Sequence, residues 1–116
     1  MNYVKTDYSK VEKQIKGHRE LVITRHFSQR MAERGIRYQD LKRSLKEPVV
    51  IRHEGSYDNY GNLRIKYTLQ SQDRYQDDIG IICAVTDKEK VILITVMYFN
   101  EEIGWERQSD GLYVKK

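Results

Sequence analysis

Apolar residues fall at helical spacing in segments between positions 9 and 47 and at strand spacing after that. Residues 1–7 carry no such pattern and read as a loose or edge segment. Val11 and Ile15 lie four apart behind Ser9 and Glu12. That S-x-x-E arrangement predicts a reciprocally capped helix over 9–17, ended by Gly17. Leu21, Val22 and Ile23 form an apolar anchor leading into two further helices. The first begins at Thr24, whose side-chain oxygen can accept from an otherwise unpaired N–H. Phe27 and Met31 give it a stripe that must face a core. Gly35 can take the left-handed conformation that stops it, which would set Ile36 against Met31. The second spans 38–46, with Tyr38, Leu41 and Leu45 inward and Lys42, Arg43 and Lys46 outward. Pro48 ends it.

Beyond Pro48 the period becomes two. Residues 48–53 predict a first strand with proline at its start, where a missing donor matters least. Residues 54–61 are turn-rich. In 62–69, Leu63, Ile65, Tyr67 and Leu69 face one way and Arg64, Lys66 and Thr68 the other, so one face is packed and one is basic and wet. Residues 70–78 read as a polar loop. Residues 79–86 and 91–99 are apolar on both faces, as interior strands are, with a short hairpin at 87–90. Short links between four consecutive strands predict an antiparallel meander covered on one face by the helices. The expectation is one α+β domain over 1–116: two to three N-terminal helices on a four-stranded antiparallel sheet, with a core at 24–99. A tail over 100–116 holds Trp105, a turn at Asp110-Gly111 and a possible edge strand at 112–114.

Charge adds direction to this picture. Residues 1–70 hold 15 Lys and Arg against 8 Asp and Glu, a balance of +7, while residues 71–116 hold 6 against 9, a balance of −3. A chain divided in this way presents a basic side suited to phosphate and an acidic side suited to water or a basic partner. No apolar run approaches the roughly 18 residues that cross a membrane, and no secretory h-region opens the chain, so a cytoplasmic site is expected. The single cysteine, Cys83, lies in an apolar run and reads as a buried structural thiol. His18, His26 and His53 are scattered without ligand spacing, so no metal or other cofactor is expected.

The densest candidate chemistry is the row His26, Arg30 and Arg34, at i, i+4 and i+8 of the predicted helix. Such a row is either a solvated helix face or a seat for an anion, most simply a phosphate.

The arrangement H-x-x-x-R-M-x-x-R-G-I over 26–36, then a short helix, Pro48 and a strand, resembles the small bacterial RelE-like domains. Nearest is a mostly uncharacterised group carrying this helix. The strand Ile94-Thr95-Val96-Met97-Tyr98 resembles the final strand of that group, and the likeness spans about residues 24–99. It implies a fold shared with RelE and BrnT toxins and, more distantly, with barnase-like nucleases. Such domains cut RNA without a metal and are held inactive by a cognate antitoxin or immunity-type protein. Carried over by position, the resemblance points to His26, Arg30, Thr95 and Tyr98 as catalytic. Histidine is the residue type that gives or takes a proton near neutral pH. Arginine holds two phosphate oxygens at once. Thr95 would donate to a non-bridging oxygen, and Tyr98 would stack on a base or transfer a proton. Arg34, Arg64 and Lys66 would extend the phosphate track.

The spacing of Thr95 and Tyr98 raises a condition. Three positions apart on a regular strand, they face opposite sides unless the strand ends, twists or bulges near Met97. Three readings stay open: a metal-independent endoribonuclease of toxin type, a non-catalytic module that binds nucleic acid or protein, and an interaction protein whose charges only keep it dissolved.

Overall fold

A computed structural model describes residues 6–116; most of the segment read as loose, 1–5, lies outside the described residues. The chain is α+β. Three helices, α1 (Ser9–Lys16), α2 (Arg25–Arg34) and α3 (Tyr38–Lys46), accompany five strands of one sheet. The strands are β1 (Glu20–Ile23), β2 (Val50–Tyr57), β3 (Leu63–Gln72), β4 (Asp78–Val85) and β5 (Lys90–Tyr98), in spatial order β1-β5-β4-β3-β2.

The expected four-stranded antiparallel sheet is corrected here to a five-stranded mixed one. β2 to β5 do form the antiparallel meander, but the apolar anchor at 21–23 belongs to β1, which pairs in parallel with β5 from Glu20↔Lys90 to Ile23↔Leu93. An open β5 edge would leave a row of donors and acceptors unpaired, and even a four-residue strand removes that row.

β1 covers β5 only as far as Leu93, and there α2 takes over. Thr24 caps α2 by accepting from Phe27 N at 3.2 Å and donates its hydroxyl to Leu93 O at 2.7 Å. One side chain therefore starts the helix and fixes it to the strand. Gly35 is left-handed (φ 65°), Ile36 N donates to Met31 O at 3.0 Å, and the predicted stop is present.

The core lies between the helices and one sheet face. Val11, Ile15, Phe27, Leu41 and Leu45 meet Leu69, Ile81, Cys83, Leu93 and Val96 there. Burial pushes the Cys83 thiol up to about 12, as a structural thiol requires.

Several local expectations need correction. The Ser9/Glu12 box does not form: Asp7 accepts from Ser9, while Glu12 reaches across to accept from Val50 N at 2.9 Å. Gly17 ends α1 without a left-handed turn. Tyr38 is exposed, and Asp40 and Ser44 join Leu41 and Leu45 on the buried side of α3. The helices cover Tyr67 but leave Leu63 and Ile65 exposed, because the β2–β3 ribbon runs on past the end of β4.

The tail is not loose. A 3₁₀ turn (Phe99–Glu101) leads into a hairpin of β6 (Trp105–Arg107) and β7 (Tyr113–Lys115), so 113–115 pairs with β6 and not with the main sheet. The hairpin lies against the face opposite the helices. Phe99 stacks on Tyr113 at 4.2 Å between ring centroids and meets Trp105 edge-on at 5.0 Å. Gln70 holds the hairpin by donating to Gly111 O and accepting from Tyr113 N, each at 2.9 Å. Gly80 makes the close approach possible, since a Cβ there would sit 2.7 Å from the Met97 methyl and 2.9 Å from the Phe99 ring.

Candidate functional site

With the helices on one face and the hairpin over part of the other, a cleft of about 270 Å³ remains between α2, the open sheet face and the hairpin. Its floor follows from strand register. Arg52 pairs with Thr68, Thr68 with Ile82 and Ile82 with Thr95, so these four side chains cross the sheet in one row. Arg30 and Arg34 enter from α2. Trp105 and Lys115 enter from the hairpin, and Glu54 and Glu102 stand at the sides. Four cations face two carboxylates, with two threonine hydroxyls and one indole between them.

The cations are held but not locked. Arg34 meets Glu101 at 3.1 Å and Glu102 at 3.8 Å, which ties α2 to the turn after β5. Arg30 meets Glu33 at 3.4 Å and Arg52 meets Glu54 at 3.0 Å, and these two pairs have substantial side-chain exposure. Exposed pairs of this kind contribute only about 0–1 kcal/mol. A phosphate offering two oxygens to a guanidinium forms a charge-assisted bidentate contact, so it can compete with these contacts to a single carboxylate oxygen.

Of the residues singled out in the sequence, Arg30, Arg34 and Thr95 come together in the cleft. The others do not. His26 is exposed on the first turn of α2 and is not among the lining residues. Arg64 lies further along β3, bonded to Asp58 at 3.0 Å, and half-buried Lys66 stands one strand repeat from Thr68 without reaching the cleft.

Tyr98 is on the opposite face. A bulge does occur in β5, at Ile94, where the register passes from Ile82↔Thr95 to Cys83↔Leu93. It precedes both residues, so the three-residue spacing still sends them to opposite sides. The Tyr98 hydroxyl donates to Asp73 Oδ2 at 2.9 Å beneath the helices. Burial, then the bond to Asp73 and the surrounding carboxylate charges, push it up to about 12, which removes it from proton transfer near neutrality.

Asp73 and Asp40 form a buried acidic pair around Tyr98. Burial works to raise the Asp73 pKa, but N–H donors from Asp77 and Tyr75 and the Tyr98 hydroxyl outweigh it and leave it lowered. Asp40, which accepts from Arg37 N at 3.0 Å, is raised by burial and by the charge of Asp73, against the opposing pull of Arg43 and a backbone N–H from Arg74. The two act with opposite signs. On acidification the Asp40 penalty is relieved as pH falls through its raised pKa toward 3.8. The Asp73 contribution is lost only below 3.8, as pH falls through its lowered pKa. Tyr98→Phe should therefore destabilise the fold by about 1.5 kcal/mol and move the acid-unfolding midpoint to higher pH. Urea titrations between pH 3 and 7 check this.

Six polar or aromatic lining residues were not singled out as site residues in the sequence: Arg52, Glu54, Thr68, Glu102, Trp105 and Lys115. Period-two patterning in 50–57 was the available signal for the first two. Nothing local marks the hairpin pair.

Among the described residues, no group of three or more His, Cys, Asp or Glu side chains comes together as ion ligands, and no helix is long and apolar enough to cross a membrane. Neither a curated protein nor a solved structure matches the chain. A family model does match, over residues 23–98, from the end of β1 to the end of β5 and without the hairpin: the chain belongs to the family described as a domain of unknown function, DUF4258.

Proposed function

We propose that the cleft binds the phosphodiester backbone of RNA and that the protein is a metal-independent endoribonuclease of toxin type, with RNA as substrate and an inhibitory protein as partner. One observation carries the reading: Arg30 and Arg34 from α2, Arg52 from β2 and Lys115 from β7 converge on a single cleft with Thr95 on its floor. The RelE-like helix and final strand add to it by resemblance alone.

Cleavage requires a proton acceptor for the 2′-OH, charge to hold the phosphorane and a proton for the leaving 5′-oxygen. Glu54 takes the first part, beside Arg52 in the cleft. The arginines and Lys115 take the second, each preorganised contact lowering the barrier by about 3 kcal/mol. As the O2′–P bond forms and the P–O5′ bond breaks, the leaving oxygen gains its proton from water or from the His26 imidazolium. His26 stands one helical turn from Arg30, roughly 5–6 Å between Cβ atoms.

A binding-only reading has its own support, since His26 stands outside the cleft and each cleft arginine already faces a carboxylate. The test is incubation of the purified protein with total RNA in EDTA beside Glu54→Gln and His26→Ala. The nuclease reading expects cleavage that Glu54→Gln lowers by about 10²–10⁴-fold, and the His26→Ala rate decides the proton donor. Salt-sensitive binding without cleavage selects the module, and absence of both rejects the cleft as an RNA site.

A further inference from the structure

The hairpin brings the chain's single tryptophan to the wall of the cleft. Trp105 is half-buried, supported edge-on by Phe99, and the Lys115 ammonium lies over its ring at 5.2 Å from the centroid. A cation resting on an indole beside three guanidiniums is a placeholder that an anionic, base-bearing ligand can exchange: the ammonium moves to a phosphate and an aromatic ring takes its place. We infer that Trp105 is a nucleobase-stacking platform and Lys115 its exchangeable cover, so that the cleft takes single-stranded nucleic acid with one base unstacked against the indole. This rests on the cleft being a phosphate site, and it adds a contact to the base to those already assigned to the backbone.

Duplex cannot use such a platform, because its bases are stacked on one another. The inference also gives the hairpin, which lies beyond the family-matched residues, a direct part in binding. Gly104, left-handed at φ 95°, makes the turn into β6 that presents the ring.

The experiment uses Trp105 emission in the full chain, titrated at low salt with a 2′-O-methyl RNA hexamer, which cannot be cleaved by 2′-OH attack, and with an abasic ribose-phosphate hexamer. Binding of both is followed separately by anisotropy of an end label. Stacking predicts that both bind, that only the base-bearing hexamer quenches the emission, and that Trp105→Ala weakens that hexamer about tenfold while Trp105→Phe keeps most of its affinity. The abasic hexamer should bind all three proteins alike. Equal quenching by both hexamers, or an unchanged affinity for the base-bearing one in Trp105→Ala, overturns the stacking role and leaves the phosphate site standing. Failure of both hexamers to bind wild-type protein overturns the phosphate site and the platform together.

Discussion

Replacing Arg30 and Arg34 together by alanine is expected to lower the proposed RNA cleavage by about 10²–10⁴-fold, with the folded state retained. Both guanidiniums line the cleft beside Thr95, and both come from one face of α2, whose start and stop are fixed by Thr24 and Gly35. Phe27 and Thr24 hold the helix from the other side, and of the two arginines only Arg34 adds a tether, to Glu101 and Glu102. What the double variant loses structurally is the exposed Arg30–Glu33 pair and the Arg34 link to Glu101 and Glu102. The exposed Arg30–Glu33 pair contributes at most about 1 kcal/mol, and the Arg34 link, with its side chain 18% exposed, contributes more. Arg64→Ala is the matched control, because that guanidinium is bonded to Asp58 away from the cleft. Its cleavage rate should stay within a factor of about two of wild type, since little more than a distant surface charge is removed. Single-turnover cleavage of a labelled RNA measures both, and equal losses in the two variants would mean that bulk charge, not the cleft, acts on RNA.

Phe99→Ala should be the most damaging single change to the second face of the sheet, at about 3–5 kcal/mol. The ring is 2% exposed, stacked on Tyr113, edge-on to Trp105 and seated over Gly80. Removing it leaves a cavity under the hairpin and takes away the support of Trp105. The indole should then emit at longer wavelength, as one in water does, while the helical signal persists below the unfolding midpoint. Phe27→Ala makes the comparison: an equal loss of stability from the other face, without the early shift in emission. A Phe99→Ala loss under about 1 kcal/mol would show that the hairpin rests lightly on the sheet.

The sequence revealed most where structure is decided within a few residues. Thr24, Phe27, Gly35 and Ile36 specify α2 through caps and an apolar stripe, and the structure contains each of those contacts. The parity of Thr95 and Tyr98 was equally local, which is why their separation to opposite faces could be anticipated. Contacts between distant segments were hidden. Glu12 has the spacing of a capping box, but the unpaired N–H of Val50 claims it from 38 positions away. Four residues of β1 give too short a pattern to separate a parallel edge strand from a linker. The buried Asp40 and Asp73 each accept from backbone N–H groups that no spacing rule reports, Arg37 for the first and Tyr75 and Asp77 for the second. The candidate site shares this weakness. Its arginines on α2 were visible, but Arg52, Trp105 and Lys115 join them only after the sheet registers and the hairpin folds over it.

The direct measurement is the salt dependence of binding of a non-cleavable single-stranded RNA to wild-type protein and to Arg30→Ala/Arg34→Ala. If the two guanidiniums seat phosphates, the slope of log K against log salt becomes shallower by about 0.7 for each arginine removed, and affinity at low salt falls with it. An unchanged slope and affinity would place the RNA elsewhere on the molecule and contradict the account.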